Sequence, residues 1–191
     1  MILNKIYKRE SKWHQELGYN LSVEFWNLSR KLCTEIRIDN KLKWLQYQIL
    51  RNSLQTNYIV SHFNRNVPKQ CYYCRETDEL ISHLFWSCMV VQRFRNELVI
   101  FFQEINFDYS PSKNQFLFGF HNLSSAHPKN YISFIMKRFI WINKFKNGQL
   151  TTDGFKNLFK TYLVDLKYIF DIKKETALIT EWNTIFNAFQ I

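Results

Sequence analysis

The chain has 191 residues, 46% hydrophobic and 18% aromatic, enough apolar side chain to bury a core without disulfide staples and too much for a disordered segment. Only 4 Gly and 3 Pro exclude a collagen-like or Pro/Gly-rich chain and disfavour a turn-dense β fold. A net charge of +10 points to a polyanionic partner, most often nucleic acid, with a solvated basic surface as the plain alternative. The excess lies in two flanks: residues 1–66 carry 11 Lys and Arg against 5 Asp and Glu, and residues 127–191 carry 10 against 5.

The predicted elements are helical almost throughout, so the fold class expected is all-α. Residues 2–17 place Ile2, Leu3, Ile6, Trp13 and Leu17 on one side and Lys5, Arg9 and Lys12 on the other. A second helix is expected over 22–33, around Phe25, Trp26 and Leu28. Residues 40–63 hold two more: Leu42, Leu45, Ile49 and Leu50 follow helical spacing, and Leu54, Tyr58, Ile59 and Phe63 repeat it. Pro68 marks a loop into a cysteine cluster. After that cluster, Val90, Phe94, Leu98, Phe101 and Phe102 read as a helix.

Residues 105–128, with Pro111, Gly119 and Pro128, read as a connector with a short strand or turn at 116–120. Three helices follow: 129–146, 153–171 and 175–189. The middle one has the cleanest apolar stripe, with Lys156, Lys160 and Lys167 opposite it as a second contact face or a solubilising one. The organisation expected is a helical domain over 1–104 that contains the cysteine cluster within 71–88, the connector 105–128 and a C-terminal helical subdomain over 129–191. No signal peptide is expected from Met1 to Lys12, which carries four basic residues without a long apolar core, and no apolar run approaches the ~18 residues of a membrane span.

The informative stretch is Cys71-Tyr72-Tyr73-Cys74 followed by His83 and Cys88, a C-x2-C-x8-H-x4-C spacing. Three thiolates and an imidazole make a closed tetrahedral set for one structural Zn²⁺, with no open position for a catalytic water. On a straight helix, side chains five apart point about 140° from each other. A helix carrying His83 must therefore end, tighten or bend before Cys88, and a short helix over 79–86 with a new one near Cys88 is expected. Cys33 reads as a core residue. His14, His62, His121 and His127 read as structural or exposed, since none pairs with a carboxylate at metal-ligand spacing.

These residues carry a resemblance. The chain resembles the C-terminal zinc-binding (CCHC) region of reverse transcriptases from LINE-type non-LTR retrotransposons. One anchor is Lys41-Leu42-Lys43-Trp44-Leu45-Gln46-Tyr47-Gln48-Ile49-Leu50, followed by Thr56-Asn57. The other is Cys71-x2-Cys74, then Glu79, then His83-Leu84-Phe85-Trp86-x-Cys88. Leu80 departs from the family's Thr after Glu79, and Phe94 stands near the family's usual Trp. Lys12-Trp13 and Trp26 look like its upstream tryptophans. The likeness covers roughly residues 10–120.

The resemblance implies an accessory domain that holds RNA or target DNA during target-primed reverse transcription. Neither an Asp-Asp pair for two-metal polymerase chemistry nor a Pro-Asp pair of a restriction-like endonuclease occurs, so no catalytic residue is expected and the chain reads as a tail fragment or a stand-alone relic. Phosphate contacts are expected from Lys41, Lys43 and Arg51 before the cluster, Lys69 and Arg75 around it, and Arg93 and Arg95 after it. Tyr72 and Tyr73 are candidates for stacking on an unpaired base, or for packing over the metal. The partners expected are RNA and/or DNA, and the polymerase part of a parent polyprotein, with no membrane and no small-molecule substrate. The location expected is intracellular, as a ribonucleoprotein of nucleus or cytoplasm. The competing reading is a zinc-stabilised protein-interaction module that docks on the polymerase or a host factor.

Overall fold

A computed structural model of the chain describes residues 2–36, 39–146 and 148–191, and side chains from residue 10 onward within α1. The sequence expectations for Ile2, Leu3, Lys5, Ile6 and Arg9 as helix faces lie outside the described side chains. Helix α1 spans Ile2–Leu17, α2 Val23–Glu35, α3 Asn40–Leu50 and the short α4 Asn57–Ser61. After the cysteine cluster come α5, Met89–Glu104, and α6, Lys113–Phe118. Helices α7, Pro128–Phe145, α8, Thr152–Lys173, and α9, Thr176–Phe189, complete the fold. Among the described residues the sole β pairing is an isolated bridge, Gln70 to Asp78.

Local chemistry sets most of these boundaries. Ser22, Asp39, Ser112 and Thr151 each accept a backbone N–H as an N-cap, and Pro128 opens α7 with His127 capping it. The strand or turn expected at 116–120 is instead the end of α6. Ser112 and Gln115 form a reciprocal capping box that starts this helix, and Gly119, at φ +104°, ends it. The helix expected to continue through Phe63 stops at Ser61, and Phe63 is exposed.

One buried apolar cluster runs from Trp13 to Phe189. Apolar side chains from all three segments read in the sequence meet in it, including Leu45 of α3, Tyr109, Phe116 and Phe118 of residues 105–128, and Ile135, Phe159 and Trp182 of the last three helices. Helix α7 lies against α3, α6 and α8, so it backs the zinc region. Trp13 ties α1 to the end of α3, its indole N–H donating to the carbonyls of Ile49 (3.1 Å) and Leu50 (3.3 Å). Trp182 does the same for α9, donating to Ala126 (2.9 Å). Cys33 is buried in this core with its thiol pushed up to about 11 by burial, as a core thiol should be. No described helix is long and apolar enough to cross a membrane.

Candidate metal centre

The chain returns on itself at the cysteine cluster through a tight knuckle. The Cys71 N–H donates to Thr77 O (2.7 Å), the Arg75 N–H to Cys71 O (3.0 Å) and the Glu79 N–H to Lys69 O (2.9 Å). Arg75 takes a left-handed conformation, φ +62°, to close the turn after Cys74. The remaining ligands come from the next segment, where residues His83–Ser87 form a π-helical turn and the Cys88 N–H donates to His83 O (2.8 Å). This is the outcome of the five-residue spacing. The helix ends before Cys88, as the sequence required, with Cys88 extended and α5 starting at Met89, but its last turn widens rather than tightens. A turn closed by an i→i+5 bond brings residue i+5 back beneath residue i, which puts His83 and Cys88 on one side.

The four ligand atoms of Cys71, Cys74, His83 and Cys88 lie within 4.8 Å of one another. Cys71 Sγ and Cys88 Sγ are 3.8 Å apart, and Cys74 Sγ is 3.3 Å from His83 Nε2. Two sulfurs at about 2.3 Å from one ion, at a tetrahedral angle, stand about 3.8 Å apart. The donor set therefore fits Zn²⁺ in both chemistry and size. Thr77 Oγ1 lies 3.1 Å from His83 Nδ1 and 3.2 Å from Nε2, so a hydroxyl stands beside the ring at both nitrogens. Cys88 is held well below the ordinary thiol range by the hydrogen bond from Cys71 and by His83, while Cys71 is pushed up by the same pairing and by burial. Crowded thiols that resist losing two protons together are what a dication would neutralise.

Glu79 holds this unit to the rest of the protein. Its carboxylate is fully buried and accepts the backbone N–H of Tyr72 inside the knuckle (2.7 Å) and the backbone N–H of Asn57 at the start of α4 (2.7 Å). It also pairs with Lys144 of α7. The Asn57 side chain donates to Gln70 O (2.9 Å), which gives the Thr56-Asn57 pair its structural meaning. Sequence reading named Glu79 and Asn57 as motif residues without a role, and missed Lys144.

The expected contact residues divide by environment. Tyr72, Tyr73, Arg75 and Arg93 line one groove of about 500 Å³ beside the knuckle, together with Gly148, Gln149 and Leu150. Glu97 also lines it and accepts a hydrogen bond from Thr152 (3.0 Å). Tyr73 is half-buried, and its hydroxyl donates to Ile140 O of α7 (2.6 Å), which pins the knuckle to that helix. Tyr72 is half-buried, with the Arg75 guanidinium 5.0 Å from its ring centre.

Arg95 is corrected as a phosphate contact. It is buried, lies 3.6 Å over the Trp86 ring, and donates to Trp86 O (3.2 Å). Lys69 is exposed and faces Asp78 across 3.4 Å. Lys41 is exposed on α3, Lys43 is half-buried, and Arg51 lies 4.8 Å over the Tyr47 ring. In the lysine stripe of α8, Lys160 is exposed, while Lys156 reaches over Phe101 (3.9 Å) and Lys167 lies 5.9 Å from the Phe186 ring.

A closed Cys3His knuckle on a helical scaffold defines a structural zinc centre, with one ion expected per chain. Residues 7–94 match the family described as zinc-binding in reverse transcriptase, a stretch that contains all four ligands. No curated protein matches the chain at significance.

Proposed function

We propose that the chain is the nucleic-acid-binding accessory region of a reverse transcriptase of a LINE-type element, non-catalytic itself, which holds RNA or target DNA during target-primed reverse transcription. The observation that carries this reading is the groove beside the knuckle, where Tyr72, Arg75 and Arg93 converge. Two guanidiniums beside an aromatic ring can neutralise phosphates and stack a base. The family match over residues 7–94 and the +10 charge support it from two other directions. In this reading the polymerase is a separate part of the same polyprotein, and the complex works inside the cell as a ribonucleoprotein.

The test is equilibrium binding of zinc-loaded protein to RNA and to single-stranded DNA across a salt series, with zinc measured on the same sample. Micromolar or tighter binding is expected, with a steep negative salt slope that falls in Arg75→Gln and Arg93→Gln. An unchanged slope in both variants removes the groove from the interface.

A second reading, a docking module for the polymerase or a host factor, has its own observation. Val164, Tyr168 and Ile172 follow one another at four-residue spacing on α8 and are all more than half exposed (51%, 67% and 61%). Zinc content with no nucleic-acid binding near physiological salt selects this reading.

A further inference from the structure

A second aromatic surface, which shares no lining residue with the knuckle groove, lies between α3 and α7. Both helices present to it a cation followed three residues later by a tryptophan, Lys41 and Trp44 from α3 and Arg138 and Trp141 from α7. In α3, Lys41, Trp44 and Gln48 stand at i, i+3 and i+7, and in α7, Arg138, Trp141 and Phe145 do the same. Such spacing keeps three side chains on one helix face. Lys41, Trp44, Gln48, Arg138 and Trp141 line a groove of about 260 Å³ where the two helices meet.

Trp44 stands outside the core, and Trp141 packs against its edge. Trp44 is 61% exposed and stacks on Tyr47 with ring centres 5.7 Å apart. Trp141 is half-buried and packs edge-on against Phe145, which is itself 64% exposed. The buried Lys144 ammonium lies 5.1 Å from the Trp141 ring centre. Arg138 stands beside the Tyr162 hydroxyl, which donates to Asp39 (2.8 Å).

We propose that this groove is a base-stacking cleft for single-stranded nucleic acid. The inference rests on the nucleic-acid reading above and adds a second site at which bases can stack. Charge decides the occupant. A cation precedes each tryptophan by three residues, and no Asp or Glu is among the described residues that line the groove. Exposed indoles rimmed by Lys and Arg match the combination by which single strands are held, rings against bases and cations against phosphates. An apolar protein surface gains nothing from the two cations. The volume is just below that of drug-sized pockets, roughly 300–1,000 Å³, and so suits one ring system rather than a folded partner.

The test measures binding of zinc-loaded full chain to a 12-residue oligothymidylate and to an abasic strand of the same length and backbone. Trp44→Ala and Trp141→Ala are each expected to weaken oligothymidylate binding about 5- to 150-fold, the range for loss of one stacked base. Binding of the abasic strand should not change, and Trp44→Tyr should recover most of the loss. Trp44 is mainly in solvent, so its variants keep the fold; Trp141→Phe serves if Trp141→Ala does not. Unchanged affinity for oligothymidylate in both tryptophan variants, or an equal loss on both strands, overturns the cleft and leaves the proposed function standing if Arg75 and Arg93 still matter. Binding of neither strand by the wild-type protein overturns the cleft, and binding of neither these strands nor RNA overturns the proposed function as well.

Discussion

Lys144 and Glu79 form an ion pair across 65 residues of sequence, with 6% and 0% of their side chains exposed. The pair is the point where the knuckle, the start of α4 and the last turn of α7 are joined. Its desolvation is offset because the carboxylate also accepts two backbone N–H groups, from Asn57 and Tyr72.

Removing either member should therefore be costly. Glu79→Ala or Lys144→Ala leaves a buried charge unpaired, and each is expected to destabilise the protein by about 3–5 kcal/mol. In Glu79→Ala the Tyr72 and Asn57 N–H groups also lose their acceptor, so zinc affinity should fall although every ligand remains. Urea unfolding and a zinc competition assay on both variants check this. Zinc affinity unchanged in Glu79→Ala would show that the knuckle forms without its anchor.

Loss of the metal should melt the same region by another route. Cys74→Ser, or chelation, removes an interaction that contributes on the order of 10 kcal/mol to structural sites. The loss should spread into the π-helical turn, whose Leu84 and Phe85 are buried in the common core. Because the ligands bind as thiolates and neutral imidazole, zinc-dependent stability is present at neutral pH and lost as protons displace the metal in acid. Metal content and circular dichroism across pH 4–8 measure it. A Cys74→Ser protein with full helicity and unchanged Tm would contradict a structural role for zinc.

The helices and the four ligands were legible in the sequence because both are local signals. Apolar residues recur at helical spacing, and C-x2-C with H-x4-C leaves few other chemistries. The constraint at His83 and Cys88 was legible too, and with it the break before Cys88; the widening of the turn, which carries the buried Leu84 and Phe85, was not. The helix at Lys113–Phe118 was missed although Ser112 and Gln115 spell its capping box. The role of Glu79 could not be read, because its partner Lys144 is set by how α7 crosses the zinc region. Lys144 looks in the sequence like any lysine near a helix end.

Lys137 is a second buried lysine, without a carboxylate. Its ammonium donates to Gln46 Oε1 (2.5 Å) and to Leu117 O (2.9 Å), and burial holds it well below the ordinary lysine range. Between that lowered value and the unfolded value near 10.4, the unfolded chain binds more protons than the folded one. Stability attributable to Lys137 should therefore rise with pH across this window. Cys33 acts in the opposite sense above its unfolded value near 8.5, because its folded thiol is held up to about 11. Comparing wild type with Lys137→Met separates the two. The stability difference between the proteins should shift toward wild type as pH rises from 7.5 to 10, by urea midpoints. A constant difference would place the lysine's proton equilibrium outside this range.

Arg93 and Arg95 give the sharpest division between contact and scaffold. They are two apart on α5, so their side chains leave the helix in different directions. Arg95 lies four residues after Val91 and three before Leu98, which are both fully buried, and this spacing places it on the core face. There it covers Trp86 inside the turn that joins His83 to Cys88. Arg95→Ala should cost about 2–3 kcal/mol, from the lost cation–ring contact and the unpaired carbonyl of Trp86. It should also weaken zinc binding, and Arg95→Lys should recover little, since an ammonium cannot lie flat on the indole. Arg93, exposed on the knuckle groove, should behave inversely. Arg93→Ala should change stability by less than about 0.5 kcal/mol and reduce the salt slope of single-strand binding by about 0.7. Thermal unfolding and salt titration of the two variants side by side decide the matter. A lowered slope in a stably folded Arg95→Ala protein would return Arg95 to the binding surface.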